Sequence, residues 1–293
     1  MDLAVLGAGA FGRDLAQVLA RGGATVALHD ADATAVMDAV DTIDRRLEDK
    51  GDAARVDATT DRTAAVADTD FVFVTVQEDA TARRERLASL EEVMDPETVI
   101  AVTDSDGGIT VAAAALQHPE RAIALCIPDP ISASIVEVIV ADQTSTAILD
   151  RVESLFADLQ LPTAVVRDHP GIVSTRLALS AEVEAMRAYA DGIASVPDID
   201  DAFAQRYNHP VGPLERADRA GLDDRLETLD TLADTLGDRF APPRILRELV
   251  DNGQLGRASG AGFYEWTDGE PAGGAVPDPE LIEGGTQRGD PGR

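Results

Sequence analysis

The chain has 293 residues, enough for two modest domains that each bury a core of their own. It carries 54 acidic against 25 basic residues, a formal net charge of −29, and a surface of this sign repels nucleic acid and anionic lipid. Its single cysteine excludes an internal disulfide, and no apolar run approaches the ~20 residues that span a membrane. Because the start shows neither a basic region nor a cleavage signal, we expect a soluble cytoplasmic protein.

The composition also predicts the solvent in which the protein works. Lys50 is the only lysine beside this excess of acid, while the apolar fraction, 44%, is ordinary. In concentrated salt the Debye length falls to about 3 Å, so repulsion between surface carboxylates is screened. We therefore expect a halophilic protein that is more stable at high than at low ionic strength.

In chain order, short β-branched runs alternate with helical stretches, which is the pattern of a parallel sheet covered by helices. Strands are predicted at 3–6, 25–29, 70–76, 98–102, 121–127, 134–140 and 163–167, and helices at 11–21, 31–50, 80–93 and 144–159. Beyond residue 168 the periodicity is helical, without a convincing strand. We predict an α/β domain over 1–167, an all-helical domain over 168–268, and a disordered acidic tail over 269–293.

A glycine-rich turn joins the first predicted strand to the first helix. It reads Gly7-Ala8-Gly9-Ala10-Phe11-Gly12, and the second strand ends in Asp30. In this context the G-x-G-x-x-G pattern predicts a dinucleotide site, with glycines for the tight turn, for approach of the pyrophosphate and for helix–strand packing. Asp30 would bind the adenosine ribose and repel a 2′-phosphate, so NAD is favoured over NADP as cofactor. A glycine-rich turn without a ligand is the alternative.

Motifs in the second half resemble those of a known family. The segments "HPGIVSTRL" (169–177), "HPVGPLERADRAGLD" (209–223) and "APPRILRELVDNGQLGRASGAGFYEW" (241–266) follow the order seen in 3-hydroxyacyl-CoA dehydrogenases, among them the 3-hydroxybutyryl-CoA dehydrogenases. The resemblance implies a Rossmann-type NAD-binding domain, an all-α C-terminal domain that forms a homodimer, and an acyl-CoA site in the cleft between domains. Taken alone, the turn residues of this half predict only packing and an interface, with Tyr264 and Trp266 as apolar anchors.

The resemblance also implies a catalytic set. In the family, a histidine at a strand end takes the proton of the 3-hydroxyl, a glutamate orients the histidine, and a serine and an asparagine polarise the substrate oxygens. Glu137 in "VEV" matches the glutamate and Ser105 in "VTDSDGG" matches the serine. Cys126 in "CIPDP" stands in place of the histidine, and Thr175 in "GIVSTR" in place of the asparagine. Half of the set is therefore changed.

Two further matches concern the cofactor. Arg83 lies where the family has a lysine near the cofactor, and Glu78 matches a family acid. Arg83, Arg84 and Arg86 together suit an anionic ligand, or they form one solvated helix face. Ser105 has an equally plain alternative as a polar loop residue.

Cys126 is not chemically equivalent to a histidine. A free thiol is only a few per cent thiolate at neutral pH, and the neighbouring Glu137 carboxylate disfavours the thiolate further. Cys126 can therefore be a small buried residue, with Glu137 itself or His169 accepting the proton.

The sequence predicts an NAD-dependent oxidoreductase of fatty acid metabolism that acts on the 3-hydroxyl of an acyl-CoA or a related hydroxy acid. One alternative is an impaired family member that binds NAD or acyl-CoA without turnover. Another is a dehydrogenase of a small free 3-hydroxy acid. We expect no nucleic-acid partner, no membrane partner and no metal site.

Overall fold

The computed structural model describes residues 1–48, 55–76, 79–103 and 108–275. The chain divides into two compact units, Met1–Ile172 and Val173–Arg293, whereas the sequence predicts the boundary after residue 167. Glu78 and Ser105, both predicted site residues, lie outside the described residues.

The first unit is an eight-stranded sheet with helices on both faces. Its strands are β1 (Asp2–Leu6), β2 (Thr25–His29), β3 (Arg55–Thr59), β4 (Phe71–Val74), β5 (Val99–Thr103), β6 (Ala122–Cys126), β7 (Val136–Val140) and β8 (Thr163–Arg167). Its helices are α1 (Ala10–Arg21), α2 (Ala33–Glu48), α3 (Arg62–Val66), α4 (Ala80–Glu91), α5 (Ile109–Ala113) and α6 (Thr146–Asp158). The strand order is β3-β2-β1-β4-β5-β6-β7-β8. The first six strands have the order of dinucleotide-binding sheets, so the predicted Rossmann-type fold is confirmed.

The central strands are apolar along most of their length because helices cover the sheet on both sides. Along β1, Leu3 and Val5 belong to one buried cluster while Ala4 and Leu6 belong to the other. The first cluster includes residues of α1, α2 and α6, and the second includes residues of α3, α4 and α5. Packing on both faces holds these strands in place, and the candidate site lies at their carboxyl ends.

The structure corrects two sequence expectations for this unit. Strand β3 is absent from the prediction because its sequence, RVDAT, alternates charged with small residues, as an edge strand does. The sheet is also not wholly parallel, because β7 runs antiparallel to β6. Only residues 127–135 connect these two strands, and a parallel crossover needs a dozen residues or more.

The second unit is mainly helical. It contains α7 (Ser174–Ala190), α8 (Val196–Tyr207), α9 (Pro213–Ala220), α10 (Leu222–Leu236) and α11 (Arg244–Asp251), followed by strands β9 (Tyr264–Thr267) and β10 (Glu270–Gly274). The two strands form an antiparallel hairpin, so the expectation of a domain without strands is wrong. Strand β10 also lies within the stretch predicted as a disordered tail. The turn explains this: Asp268 and Gly269 both have positive φ, as the Asp-Gly pair of a tight hairpin turn requires.

Buried carboxylates hold this hairpin to the helices. Asp218 accepts hydrogen bonds from the backbone N–H of Phe263 (2.9 Å) and Tyr264 (2.9 Å) and from the Trp266 indole (3.0 Å). Asp200 accepts one from the Tyr264 hydroxyl at 3.0 Å. Burial raises the pKa of both carboxyl groups, against the lowering effect of these hydrogen bonds. Tyr264 and Trp266 are buried anchors, as the sequence predicts.

Candidate active site

The candidate site of the first unit lies at the carboxyl ends of its parallel strands. Strands β1, β4, β5 and β6 run in the same direction and end at one edge of the sheet. From β1 the chain proceeds first to β2 on one side, and β4 later pairs on the other side. Sheets of this kind bind ligands in the crevice at such a reversal of strand order, which here lies between β1 and β4.

The glycine turn between β1 and α1 is shaped partly by its own packing. Gly7 has φ +117°, which favours glycine, and its N–H donates to the carbonyl of His29 at 2.8 Å. A Cβ on Gly12 would lie 1.9 Å from the Gly7 carbonyl oxygen, so no side chain fits there. These two glycines are required by the fold itself, and they bring the start of α1 against the end of β1.

Gly9 is different, because nothing in the fold requires glycine at this position. It has φ −62°, which any residue adopts, and a Cβ built on it meets no atom within 4 Å. The open space lies directly before Ala10, the first residue of α1, where backbone N–H groups and the helix dipole favour an anion. A side chain would fill the space that a pyrophosphate needs, so the turn fits a dinucleotide. Of its other residues, Ala8 is buried, Phe11 is half-buried and Ala10 is exposed.

Asp30 follows β2 and faces this turn. Its Oδ2 accepts a hydrogen bond from the Ala8 N–H at 2.8 Å, and its Oδ1 accepts one from the Asp32 N–H at 3.0 Å. Burial raises the pKa of the carboxyl group. The backbone hydrogen bonds from Asp32, Ala8 and Ala31, together with the charge interaction with His29, outweigh burial and leave the pKa lowered. Asp30 is therefore ionised at neutral pH. A carboxylate here suits the ribose hydroxyls of NAD and disfavours the 2′-phosphate of NADP; when bound, NAD supplies a hydride acceptor.

Arg83 lies on α4, whose start is capped by Asp79 through the N–H groups of Thr81 and Ala82. Arg83 and Arg86 are half-buried and three residues apart, so they share a face of the helix, whereas Arg84 is exposed. The three arginines named together in the sequence are therefore not one cluster. Arg83 with Arg86 remains a candidate pair for an anionic ligand.

Cys126 and Glu137 are directly opposite each other in the sheet. Cys126 is the last residue of β6, and the antiparallel register pairs it with Glu137 of β7. Opposed residues project from the same face with their Cβ atoms about 4.5–5.5 Å apart. The cysteine is 7% exposed and the glutamate 8%. The pair at Ala124 and Ile139 lies on the same face, so the glutamate lies beside apolar neighbours at the edge that also carries the glycine turn.

Two other predicted residues, Thr175 and His169, lie outside the strands that carry Cys126 and Glu137. Thr175 is the second residue of α7, in the second unit, and is half-buried. His169 is exposed and follows β8, with its Nδ1 3.5 Å from the Pro170 carbonyl oxygen. The structure thus brings together Gly7–Gly12 with Asp30, and Cys126 with Glu137.

One contact near the predicted site was missed by sequence reasoning. Asp168, directly after β8, accepts hydrogen bonds from the N–H of Gly108 at 2.6 Å and of Thr110 at 2.7 Å, at the start of α5. The only sequence signal is that Asp168 follows a strand, which does not identify a partner sixty residues away.

Two absences apply to the described part of the chain. No helix there is long and apolar enough to cross a membrane. No group of three or more His, Cys, Asp or Glu side chains there is placed to hold a metal ion.

Comparisons with known proteins agree with this geometry over nearly the whole chain. Residues 2–169 match the NAD-binding domain of 3-hydroxyacyl-CoA dehydrogenase, and residues 171–266 match the C-terminal domain of the same family. A probable 3-hydroxybutyryl-CoA dehydrogenase of Deinococcus radiodurans is 33% identical over 279 residues, covering 91% of this chain and 100% of that protein. The 3-hydroxybutyryl-CoA dehydrogenase of Bradyrhizobium diazoefficiens is 31% identical, with 91% and 96% covered.

Solved structures give the same result. The crystal structure of (S)-3-hydroxybutyryl-CoA dehydrogenase from Ralstonia eutropha matches with a TM-score of 0.85 and 28% identity, over 91% of this chain and 99% of that one. The similarity includes both units, the glycine turn and the helical segments on which the resemblance rests. The chain therefore belongs to the 3-hydroxyacyl-CoA dehydrogenase family and is an oxidoreductase with NAD as its cofactor.

Proposed function

We propose that this protein oxidises the 3-hydroxyl group of short 3-hydroxyacyl-CoA thioesters, with 3-hydroxybutyryl-CoA as the substrate of first choice. The observation that carries the proposal is the glycine turn with its open position at Gly9 and the ionised Asp30 beside it. It occurs in a chain that matches 3-hydroxybutyryl-CoA dehydrogenases over about nine-tenths of its length. The names of these relatives support the choice of a four-carbon acyl group.

The proposal assigns roles to the predicted residues. The turn Gly7–Gly12 and Asp30 hold NAD, with Glu78 and Arg83 beside it. The substrate's oxygens are bound by Ser105 and Thr175. The proton of the hydroxyl group is taken up by one member of the facing pair, Cys126 or Glu137. The register that places this pair at the carboxyl edge of the sheet supports its assignment.

The protein further acts as a homodimer in a salt-rich cytoplasm, as part of fatty acid metabolism. The second unit exposes several large apolar side chains, which suit a contact between two copies: Val173, Leu177, Ile193 and Tyr207. Leu177 and Ile193 are each 68% exposed. The net charge of −29 supports the salt-rich habitat.

A second candidate function is binding of NAD or acyl-CoA without turnover. The thiol at Cys126 favours it, because general acid–base catalysis is typically worth ~10²–10⁴-fold and a protonated thiol does not supply a base. A dehydrogenase of a free 3-hydroxy acid is a variant of the first proposal with a smaller substrate.

The test follows NADH oxidation by acetoacetyl-CoA in concentrated KCl, with acetoacetate as the alternative substrate and NADPH as the control cofactor. We expect turnover with acetoacetyl-CoA and NADH, and little with acetoacetate or NADPH. NADH binding without turnover, and with activity gained by Cys126→His, would instead support a disabled site. Preference for acetoacetate would support the free-acid variant. Failure to bind NADH would contradict both dehydrogenase proposals and the NAD-binding alternative.

A further inference from the structure

The pair at the edge of the sheet contains two side chains that differ in how readily they hold a proton. On the basis of the proposed function, we infer that Glu137, the residue on β7, is the proton acceptor for the substrate's hydroxyl group, and that Cys126 is dispensable for this step. The acid–base function thus lies one strand further along the sheet than the position where the family carries its histidine.

The sheet places both residues at the edge that also carries the glycine turn. Strands β1 and β6 are separated by β4 and β5, so the glycine turn and Cys126 lie roughly 14 Å apart along the edge. Glu137 continues this line by one strand. Its side chain extends three bonds from Cβ to its oxygens, whereas the thiol sulfur of Cys126 is one bond from Cβ. From adjacent starting points on one face, the carboxylate therefore reaches further.

The order in which carboxyl and thiol groups lose protons decides which of them can act as base. In general, carboxyl side chains ionise near pH 4.3 and thiols near 8.5, a difference of about four pKa units. When two such neighbours titrate together, the carboxyl loses its proton first, and its negative charge then opposes ionisation of the thiol. A carboxylate oxygen accepts a proton directly, whereas a thiol must first lose its own proton before it can act as a base.

The environment of Glu137 suits this task. The residue is only 8% exposed, and it shares its sheet face with Ala124 and Ile139. The carboxylate therefore lies at a largely water-excluded position on this face of the sheet. In the reaction, the O–H bond of the substrate breaks and its proton passes to a Glu137 oxygen. The electron pair of that bond completes the C=O double bond while hydride leaves C3 for NAD, and the protonated carboxyl later releases its proton to water.

Variants at the two positions test the inference. Glu137→Gln keeps the size of the side chain and removes the base, so we expect kcat to fall by ~10²–10⁴-fold with the affinity for NADH unchanged. We expect Cys126→Ala and Cys126→Ser to lower kcat much less than Glu137→Gln does. Glu137→Ala opens space at the same point, and added formate restores turnover in proportion to its concentration. Formate is exchanged for chloride at constant ionic strength, so the rescue is not an effect of salt.

A buried glutamate elsewhere in the same unit serves as the control. Glu91 accepts hydrogen bonds from Gln117, His118 and Arg121 and has no part in the site. We expect Glu91→Gln to lower thermal stability and to leave kcat unchanged at temperatures at which it is folded. Formate does not alter its rate.

Each result separates the inference from the proposed function. Wild-type turnover that survives Glu137→Gln, or that is lost in Cys126→Ala and Cys126→Ser, contradicts the inference alone. Glu137→Ala can also lose turnover that formate does not rescue. If Glu137→Asp is then inactive too, Glu137 has a structural role, and this result also contradicts the inference. Wild-type protein that binds NADH but does not turn over acetoacetyl-CoA contradicts the proposed function, and the inference with it.

Discussion

Gly9 and Gly12 occupy the same turn for different physical reasons, and a pair of alanine substitutions separates them. Gly9→Ala places a methyl group in open space at an ordinary φ, so we expect thermal stability to be kept and the affinity for NADH to fall at least tenfold, about 1.4 kcal/mol. Gly12→Ala forces a methyl group against the Gly7 carbonyl oxygen, so stability itself falls. Calorimetry of NADH binding and thermal melts provide both readouts. Unchanged NADH affinity in Gly9→Ala would contradict the assignment of the turn.

Single residues also show what the sequence reveals and where it stops. The glycine pattern and Asp30 are predictable because a local motif carries their chemistry. Cys126 and Glu137 are opposite each other because of the register between β6 and β7. The connection between the two strands sets this register, and no local sequence pattern fixes it. The contact of Asp168 with Gly108 spans two elements, so it requires the assembled sheet.

At the scale of an element, the start of α5 depends on a carboxylate from another part of the chain. Asp168 accepts from the N–H of Gly108 with one oxygen and from the N–H of Thr110 with the other, and Gly108 has φ +102°. Asp168→Asn presents an NH₂ group to one of these donors, so we expect a loss of about 1–3 kcal/mol in the free energy of unfolding. Amide exchange at Gly108 and Thr110 should accelerate.

A matched control is the cap of α3. There a single Asp61 oxygen accepts from the N–H of both Thr63 and Ala64, so an asparagine oxygen can do the same. We expect Asp61→Asn to change stability much less than Asp168→Asn. Equal effects of the two substitutions in urea unfolding would show that charge alone, and not the use of both oxygens, stabilises the start of α5.

The elements themselves are predictable where burial is strongest. Strands β1, β4, β5 and β6 are apolar along most of their length, and the sequence locates each of them. Strand β3 lies at the edge and alternates charge, so hydrophobicity does not mark it. Strand β10 carries Pro and Gly, and only the Asp-Gly pair before it indicates a hairpin. The direction of β7 follows from the length of its connection to β6, so a pattern of hydrophobicity does not reveal it.

For the molecule as a whole, the dominant long-range feature is its negative charge. The formal net charge is −29, and repulsion among exposed carboxylates opposes the compact state at low ionic strength. Buried ion pairs in the second unit should depend less on salt than these surface charges do. Glu182 is shielded from solvent and forms ion pairs with Arg216 at 2.9 Å and with Arg225 at 3.0 Å. Such buried pairs are screened much less by salt than surface charges are. Salt should therefore act on the surface and leave these internal contacts in place.

Helix α2 offers a direct test of this surface repulsion. Asp38, Asp41 and Asp44 follow at intervals of three residues along it and are all exposed, so they repel one another. We expect the triple replacement by asparagine to raise the free energy of unfolding in dilute salt. Between ~0.01 M and ~1 M KCl the Debye length falls from about 30 Å to about 3 Å, so the advantage should shrink while the wild type gains stability. Urea unfolding across this range measures both trends. A wild type that loses stability as KCl is added, or a constant difference between the two proteins, would show that charge repulsion does not limit stability and would remove the basis for a salt-rich habitat.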